Sequence, residues 1–338
     1  MNRRNRSIAL FCRTATLATL LVAAVAPLGA LAAGTGGGAA EQLAAAAAAL
    51  QQGAPESAAA LATKAIALAP AEPEAYYTLG LAQQALSRDS EAEEALWKAV
   101  QLRPATARYH YALGLSYTRN GKENLALAEF QQVIKLEPGN AAGQFQVGQI
   151  LYDQGEPEAA VRYWEAALSV SPGFPPALKA LGAYYQGQGR LDQAIDLLNR
   201  ATQEGALDAD LWARLGDALL ARNKPGDAED AVYCFRQFRV LAPPGTDQAA
   251  LARADELLTR NADWAATRLL ARGISATDQE QAALLFRRAA ELSPGLAQAH
   301  YNLGLALQRL GRYAEAVGAY AQAAALAPDQ AIVHANLG

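Results

Sequence analysis

A single glycine spacing limits what this chain can fold into. Gly80, Gly114, Gly148, Gly182 and Gly216 each stand 34 residues from the next, and Gly304 and Gly338 are again 34 apart. Each lies in a stretch that otherwise reads as helix, such as YHYALGLSY at 109–117. There, glycine costs about 1 kcal/mol relative to alanine. The neighbours repeat too. Leu79, Leu113, Val147, Leu181, Leu215, Leu303 and Leu337 precede the glycines, and Tyr76, His110, Gln144, Leu178, Trp212, His300 and His334 stand four before them. Ala92, Ala126, Ala160, Ala194 and Ala316 follow twelve after a glycine, with Leu96, Phe130, Trp164, Leu198 and Tyr320 four beyond. Pro70, Pro104, Pro138, Pro172, Pro294 and Pro328 close the units.

Each unit reads as two helices and a turn. The first helix runs into a polar or glycine turn such as RNGK or DQGEP, and the second ends before the proline, which cannot continue a helix. No stretch alternates at period two, so strands are not expected. Apolar residues make up 52% of the chain but aromatics only 7%, so alanine supplies much of the core. The bare glycine is expected to let the second helix lie against the backbone of the first. The large residues would then fill the space between units. One such pair cannot bury its own apolar face, so pairs must stack.

The pattern of large residue, Leu, Gly, then Ala, a bulky residue and Pro at 34 residues resembles the tetratricopeptide repeat. The resemblance implies an all-α fold, a right-handed α-solenoid of stacked helix-turn-helix hairpins. It covers the chain from about residue 39, with units starting near 39, 73, 107, 141, 175 and 209 in a first array over 39–245. The first unit is worn: Ala46 replaces the glycine, while Ala58, Ala65 and Pro70 keep the spacing. The unit from 209 is three residues too long, and Ala231, Phe235 and Pro243 restore its spacing if NKPGDAED holds the insertion. Residues 246–262 fit no unit and form either a separate helical insertion or the start of one long helix to about Arg272; the stripe Leu251, Ala254, Leu258, Ala265 and Leu269 favours the latter. A second array follows over 263–338. Its last unit is incomplete at Gly338, from which a truncated chain is expected.

Residues 1–33 read as a secretory signal peptide: Arg3, Arg4 and Arg6, an uncharged apolar run from residue 14, then Pro27, Gly29 and Ala30-Leu31-Ala32. A periplasmic or secreted protein is expected, with a flexible linker at 34–40 and no stable membrane span after cleavage; an uncleaved anchor is the alternative. Removing the four arginines at 3, 4, 6 and 13 leaves 25 basic against 33 acidic residues, a net charge of −8. A mildly acidic body without basic clusters argues against nucleic acid. Cleavage would also remove Cys12 and leave Cys234, on an apolar face, as the remaining cysteine.

No catalytic constellation, metal site or cofactor is expected. His110, His300 and His334 share one packing slot in different units, about 10 Å apart between neighbouring helices, too far for a common ion. Carboxylates such as those of DSEAEEA and GDAED read as solvated helix starts.

What remains is a groove. The resemblance implies that first helices line the concave face, with the positions three before and one after each glycine facing it. The first set is Tyr77, Tyr111, Phe145, Lys179, Ala213, Tyr301 and Ala335; the second is Leu81, Leu115, Gln149, Ala183, Asp217 and Leu305. Tyr77, Tyr111 and Phe145 would form an aromatic ladder for an apolar peptide. One subtype of the family grips a C-terminal carboxylate with repeated lysine and asparagine at these positions. Here only Lys179 is basic, with Ala183 beside it, so that clamp is not expected. The leading function is an exported protein-interaction scaffold that binds a peptide or protein. A recognition arm of a larger exported protein comes second, and self-association third.

Overall fold

The computed structural model describes residues 37–329 apart from residue 206. The expected signal peptide and the incomplete last unit, with His334, Ala335, Leu337 and Gly338, lie outside the described residues. These form sixteen helices and no strand, paired as antiparallel hairpins. They divide into two units, one up to Pro172 and one from Gly173.

The first unit holds α1 (Gly37–Gln51) with α2 (Pro55–Leu68), α3 (Pro73–Ala85) with α4 (Asp89–Leu102), α5 (Ala107–Arg119) with α6 (Glu123–Leu136), and α7 (Ala141–Asp153) with α8 (Pro157–Val170). The helix starts at Gly37, so residues 37–40 of the expected linker belong to α1. Ala39 and Leu43 are buried, and that burial draws the segment into the fold.

The second unit holds α9 (Pro175–Gly187) with α10 (Leu191–Gln203), α11 (Ala209–Arg222) with α12 (Asp227–Leu241), α13 (Gln248–Ser275) with α14 (Gln279–Leu292), and α15 (Ala297–Arg309) with α16 (Tyr313–Leu326). Residues 248–275 are one helix of 28 residues, about 42 Å long at 1.5 Å per residue.

The hairpin turn is written in the backbone. Seven residues after the repeat glycine the chain takes a left-handed conformation, at Ser87, Gly121, Gly155, Gly189, Asn223 and Gly311. In five of these hairpins the next amide closes back on the carbonyl five residues earlier, as in Arg88 N to Gln83 O and Lys122 N to Tyr117 O. This satisfies a carbonyl that the helix end leaves open. The worn first hairpin keeps the device, with Gly53 left-handed and Ala54 N bonded to Ala49 O.

The glycine's role differs from the expectation. A Cβ on Gly80, Gly114, Gly148, Gly182 or Gly304 would lie 2.5–2.8 Å from the side chain of Leu96, Phe130, Trp164, Leu198 or Tyr320. The bulky residue therefore fills its own hairpin, and the missing side chain makes room for it. Close approach of the second helix's backbone is secondary: the Ala160 carbonyl lies 3.0 Å from the site of that Cβ at Gly148, and the Ala92 carbonyl 3.3 Å at Gly80. The first hairpin is consistent with this. Ala46 stands at the glycine position and Ala62 at the bulky one, both fully buried, so a small partner removes the need for glycine.

Successive hairpins are tied by side chains as well. Gln84 Nε2 donates to the Ala112 carbonyl at 3.2 Å, and in the second unit the equivalent Gln186 donates to the Arg214 carbonyl at 3.4 Å.

Candidate partner-binding groove

The groove positions differ in how much surface they offer. Tyr77 is 2% exposed and Leu81 4%. The reason is a buried network that links α3 to α5. Glu74 accepts from Arg108 Nη2 at 2.5 Å and from the Tyr109 hydroxyl at 2.6 Å. The Arg108 guanidinium lies over both the Tyr77 and Tyr109 rings, 5.2 and 5.3 Å from their centroids. Burial pushes the Tyr77 phenol up to about 12, with Arg108 pulling the other way. Glu74 and Arg108 are 34 residues apart, the same position in successive repeats. The pair was legible as a spacing, but nothing in the spacing marks it as buried.

Tyr111, Leu115, Phe145 and Gln149, on α5 and α7, are half-buried. Tyr111 packs edge-on against Phe130, with centroids 5.5 Å apart. Burial raises its phenol, and Gln146 beside it acts in the opposite sense. These four residues present apolar and amide surface, and none carries a charge.

On α9 and α11 of the second unit the charged residues at these positions are closed by their own counter-charges. Lys179 Nζ lies 2.5 Å from Asp208 and 3.1 Å from Asp210, and Asp210 also pairs with Arg214 at 2.8 Å. Asp217 pairs with Arg253 of the long helix at 2.6 Å. Tyr301 and Leu305 on α15 are half-buried, and Tyr301 packs 5.9 Å from Tyr320.

The packing position four before the glycine holds two described histidines. His110 lies 2.6 Å from Glu129 and 2.7 Å from the Pro104 carbonyl. His300 lies 3.0 Å from the Pro294 carbonyl. Among the described residues no group of three or more His, Cys, Asp or Glu could hold a metal ion, and no helix is long and apolar enough to cross a membrane. Cys234 is buried, and burial pushes its thiol well up.

The carboxylates of GDAED are not solvated, contrary to expectation. Asp227 and Glu229 are each 3% exposed. Asp227 takes two bonds from Arg222, at 2.6 and 2.9 Å, and one from the Lys224 amide at 2.8 Å. Glu229 pairs with Arg268 at 3.0 Å, and Asp230 with Arg272 and Arg288 at 3.3 and 3.2 Å. The long helix supplies two of these cations, Arg268 and Arg272, and so ties the insertion to α13. The signal was available in the sequence as Arg268 and Arg272, four apart on one helical face.

Comparison with known proteins agrees with this architecture. Models of the tetratricopeptide repeat match residues 77–141 and 111–177, 151–215, and 297–330. The solved structure of PilW, a widely conserved type IV pilus biogenesis factor, shares 20% identity over 65% of this chain and 99% of its own, with a TM-score of 0.55. That likeness is one of fold. A MamA structure shares 24% identity over 47% of this chain and 94% of its own, with a TM-score of 0.44. TTC0263, a thermophilic repeat protein of Thermus thermophilus, shares 25% over 54% and 99%, with a TM-score of 0.44. Among curated proteins, none matches the chain.

Proposed function

Because the chain belongs to the tetratricopeptide-repeat family, we propose that it is an exported scaffold whose first unit binds an extended, largely apolar peptide segment of a partner protein across α5 and α7. The observation that carries this reading is the run of uncharged surface on two consecutive first helices, α5 and α7. There, Tyr111, Leu115, Phe145 and Gln149 offer uncharged, half-buried surface. On the next two first helices, α9 and α11, the run ends: Lys179 and Asp217 stand there, neutralised by Asp208, Asp210 and Arg253. Rigid aromatic side chains lose little entropy on binding and make good anchors. Tyr77 and Leu81 belong to the buried apolar cluster against which Tyr111 packs. Export rests on the three-part pattern of residues 1–33.

A phage-displayed peptide library panned against the purified protein tests the groove. Enriched peptides should be rich in aliphatic and aromatic residues and should lose at least about tenfold in affinity to a Tyr111→Ala, Phe145→Ala double variant. Unchanged affinity in a folded double variant would overturn the site. Fractionation of cells expressing the full chain, with and without residues 1–33, tests export; retention of both forms in the cytoplasm would overturn it.

A further inference from the structure

His110 is 6% exposed, and both of its ring nitrogens face acceptors. Nδ1 lies 2.6 Å from Glu129 Oε2 on α6, and Nε2 lies 2.7 Å from the Pro104 carbonyl in the connection between α4 and α5. A neutral imidazole carries one donor and one acceptor. It would satisfy one contact and set lone pair against lone pair at the other, whereas the imidazolium donates at both. The ring thus ties three elements together only in its charged form.

The surroundings support that form. Glu129 is the charged group that acts on the ring from α6. On α4, Glu93 is nearby: it and Glu129 both act on Tyr117 of α5, and Glu93 is itself paired with Lys122 at 2.6 Å. From the connection comes the Pro104 carbonyl. The hydrogen bond to Glu129 raises the His110 imidazole above its ordinary 6.5, against the opposing effect of burial. His300 is a built-in reference. It fills the same repeat position and meets the carbonyl of Pro294, but where Glu129 stands nineteen residues beyond His110, Ala319 stands nineteen beyond His300.

The next residues along carry the consequence. Tyr111 follows His110 and Phe130 follows Glu129, and these two rings pack edge-on. The ion pair and the ring pair are adjacent rungs of one seam between α5 and α6. We propose that the His110–Glu129 pair is a protonation-dependent latch that sets α5 on α6, and with it the groove residue Tyr111, so that the groove is ordered in mildly acidic surroundings and loosened in alkaline ones. The regulatory part rests on the groove reading above; the latch itself does not. Its contribution to stability is complete below pH 6.5 and is lost as pH rises through the raised imidazole value.

A histidine-detected NMR titration of the full chain tests this, with His334→Gln used to assign the third histidine. His110 should carry protons on both nitrogens at pH 6 and titrate above the ordinary 6.5, and the Tyr111 ring signals should move with the His110 midpoint. Glu129→Gln should lower the His110 midpoint. A single neutral tautomer at pH 6, a midpoint unmoved by Glu129→Gln, or a Tyr111 that ignores the transition would overturn the latch. His110→Tyr places there the residue type found at position 76 and keeps the packing. Melting curves should then show wild type losing stability between pH 6 and 8.5 relative to this variant; parallel curves would overturn the proposal. The enriched library peptides are the groove probe. Weaker binding at pH 8.5 than at pH 6 in wild type, but not in His110→Tyr, supports the regulatory role, and equal affinity overturns it. If no peptide binds at either pH, the groove reading fails and the midpoints decide the latch alone.

Discussion

Gly273 and Phe286 are thirteen residues apart, and a Cβ on the glycine would lie 2.5 Å from the ring. In five other hairpins the corresponding pair is separated by sixteen, and in Gly216 and Phe235 by nineteen. One contact is thus conserved in space through three chain lengths. The hairpin of α11 and α12 adds three residues around its turn. That of α13 and α14 omits three: α13 ends two residues after its glycine, where α5 runs five further. The left-handed turn residue is lost with them. The surplus and the deficit fall on either side of the helix that the insertion grips.

The contact predicts opposite effects for the same substitution at two helical glycines. Gly148→Ala must push Trp164 aside, since its Cβ would lie 2.6 Å from the indole and 3.0 Å from the Ala160 carbonyl. Overpacking of this kind costs about 1–3 kcal/mol, more than the gain in helix propensity of about 1. Gly318 on α16 has open space around the same added carbon. Gly318→Ala should therefore stabilise by about 0.5–1 kcal/mol. Urea unfolding of the two variants checks the difference in sign.

Ser87 holds φ at +57° in the turn position that glycine holds in five other hairpins. A left-handed conformation costs a residue with a Cβ about 1 kcal/mol. Ser87→Gly should raise stability by roughly that amount, less the greater entropy of the unfolded glycine. A midpoint in urea that falls on substitution would show that the serine makes a compensating bond.

The regular part of this fold was legible because it is steric. A glycine, an alanine and a bulky residue at fixed separations define one packed hairpin, and five copies agree. Gly273 escaped the same reading because the three-residue deficit moved it off the 34-residue register. The helix from Gly37 escaped it because alanine and glycine carry no local signal strong enough to separate a helix from a linker. At the groove, periodicity placed Tyr77 and Tyr111 alike. It could not foresee that Arg108, one repeat beyond Glu74, would close over Tyr77 alone. Likewise Glu229 and Asp230 of GDAED looked solvated because their counter-charges, Arg268, Arg272 and Arg288, come from helices 39 to 58 residues away.

Asp227 should contribute to the acid behaviour of the second unit. The two bonds from Arg222, then that from the Lys224 amide, hold its carboxyl below the ordinary 3.8, against burial. A lowered carboxyl gives stability that is present above 3.8 and lost as pH falls through the lowered value. Asp227→Asn should cost about 2 kcal/mol at pH 6, the scale of charge-assisted hydrogen bonds. Its deficit relative to wild type should shrink below pH 4. A gap that stays constant down to pH 2 would mean that the contact works through shape alone.

Arg108→Ala tests the network that buries Tyr77. It leaves the Glu74 carboxylate, 3% exposed, with the Tyr109 hydroxyl but without its cation. Breaking one side of a buried pair costs about 3–5 kcal/mol, because the remaining charge is stranded. The half-exposed position of Arg108 lets water reach the gap, so a value near the lower end is expected. Replacing both partners, as Glu74→Met with Arg108→Met, removes the stranded charge and keeps the volume. The double variant should therefore be more stable than Arg108→Ala, although it has lost more native bonds. If it is less stable, the hydrogen bonds to Glu74 outweigh the cost of burying it, and the network holds α3 to α5 by its own strength rather than by the penalty for breaking it.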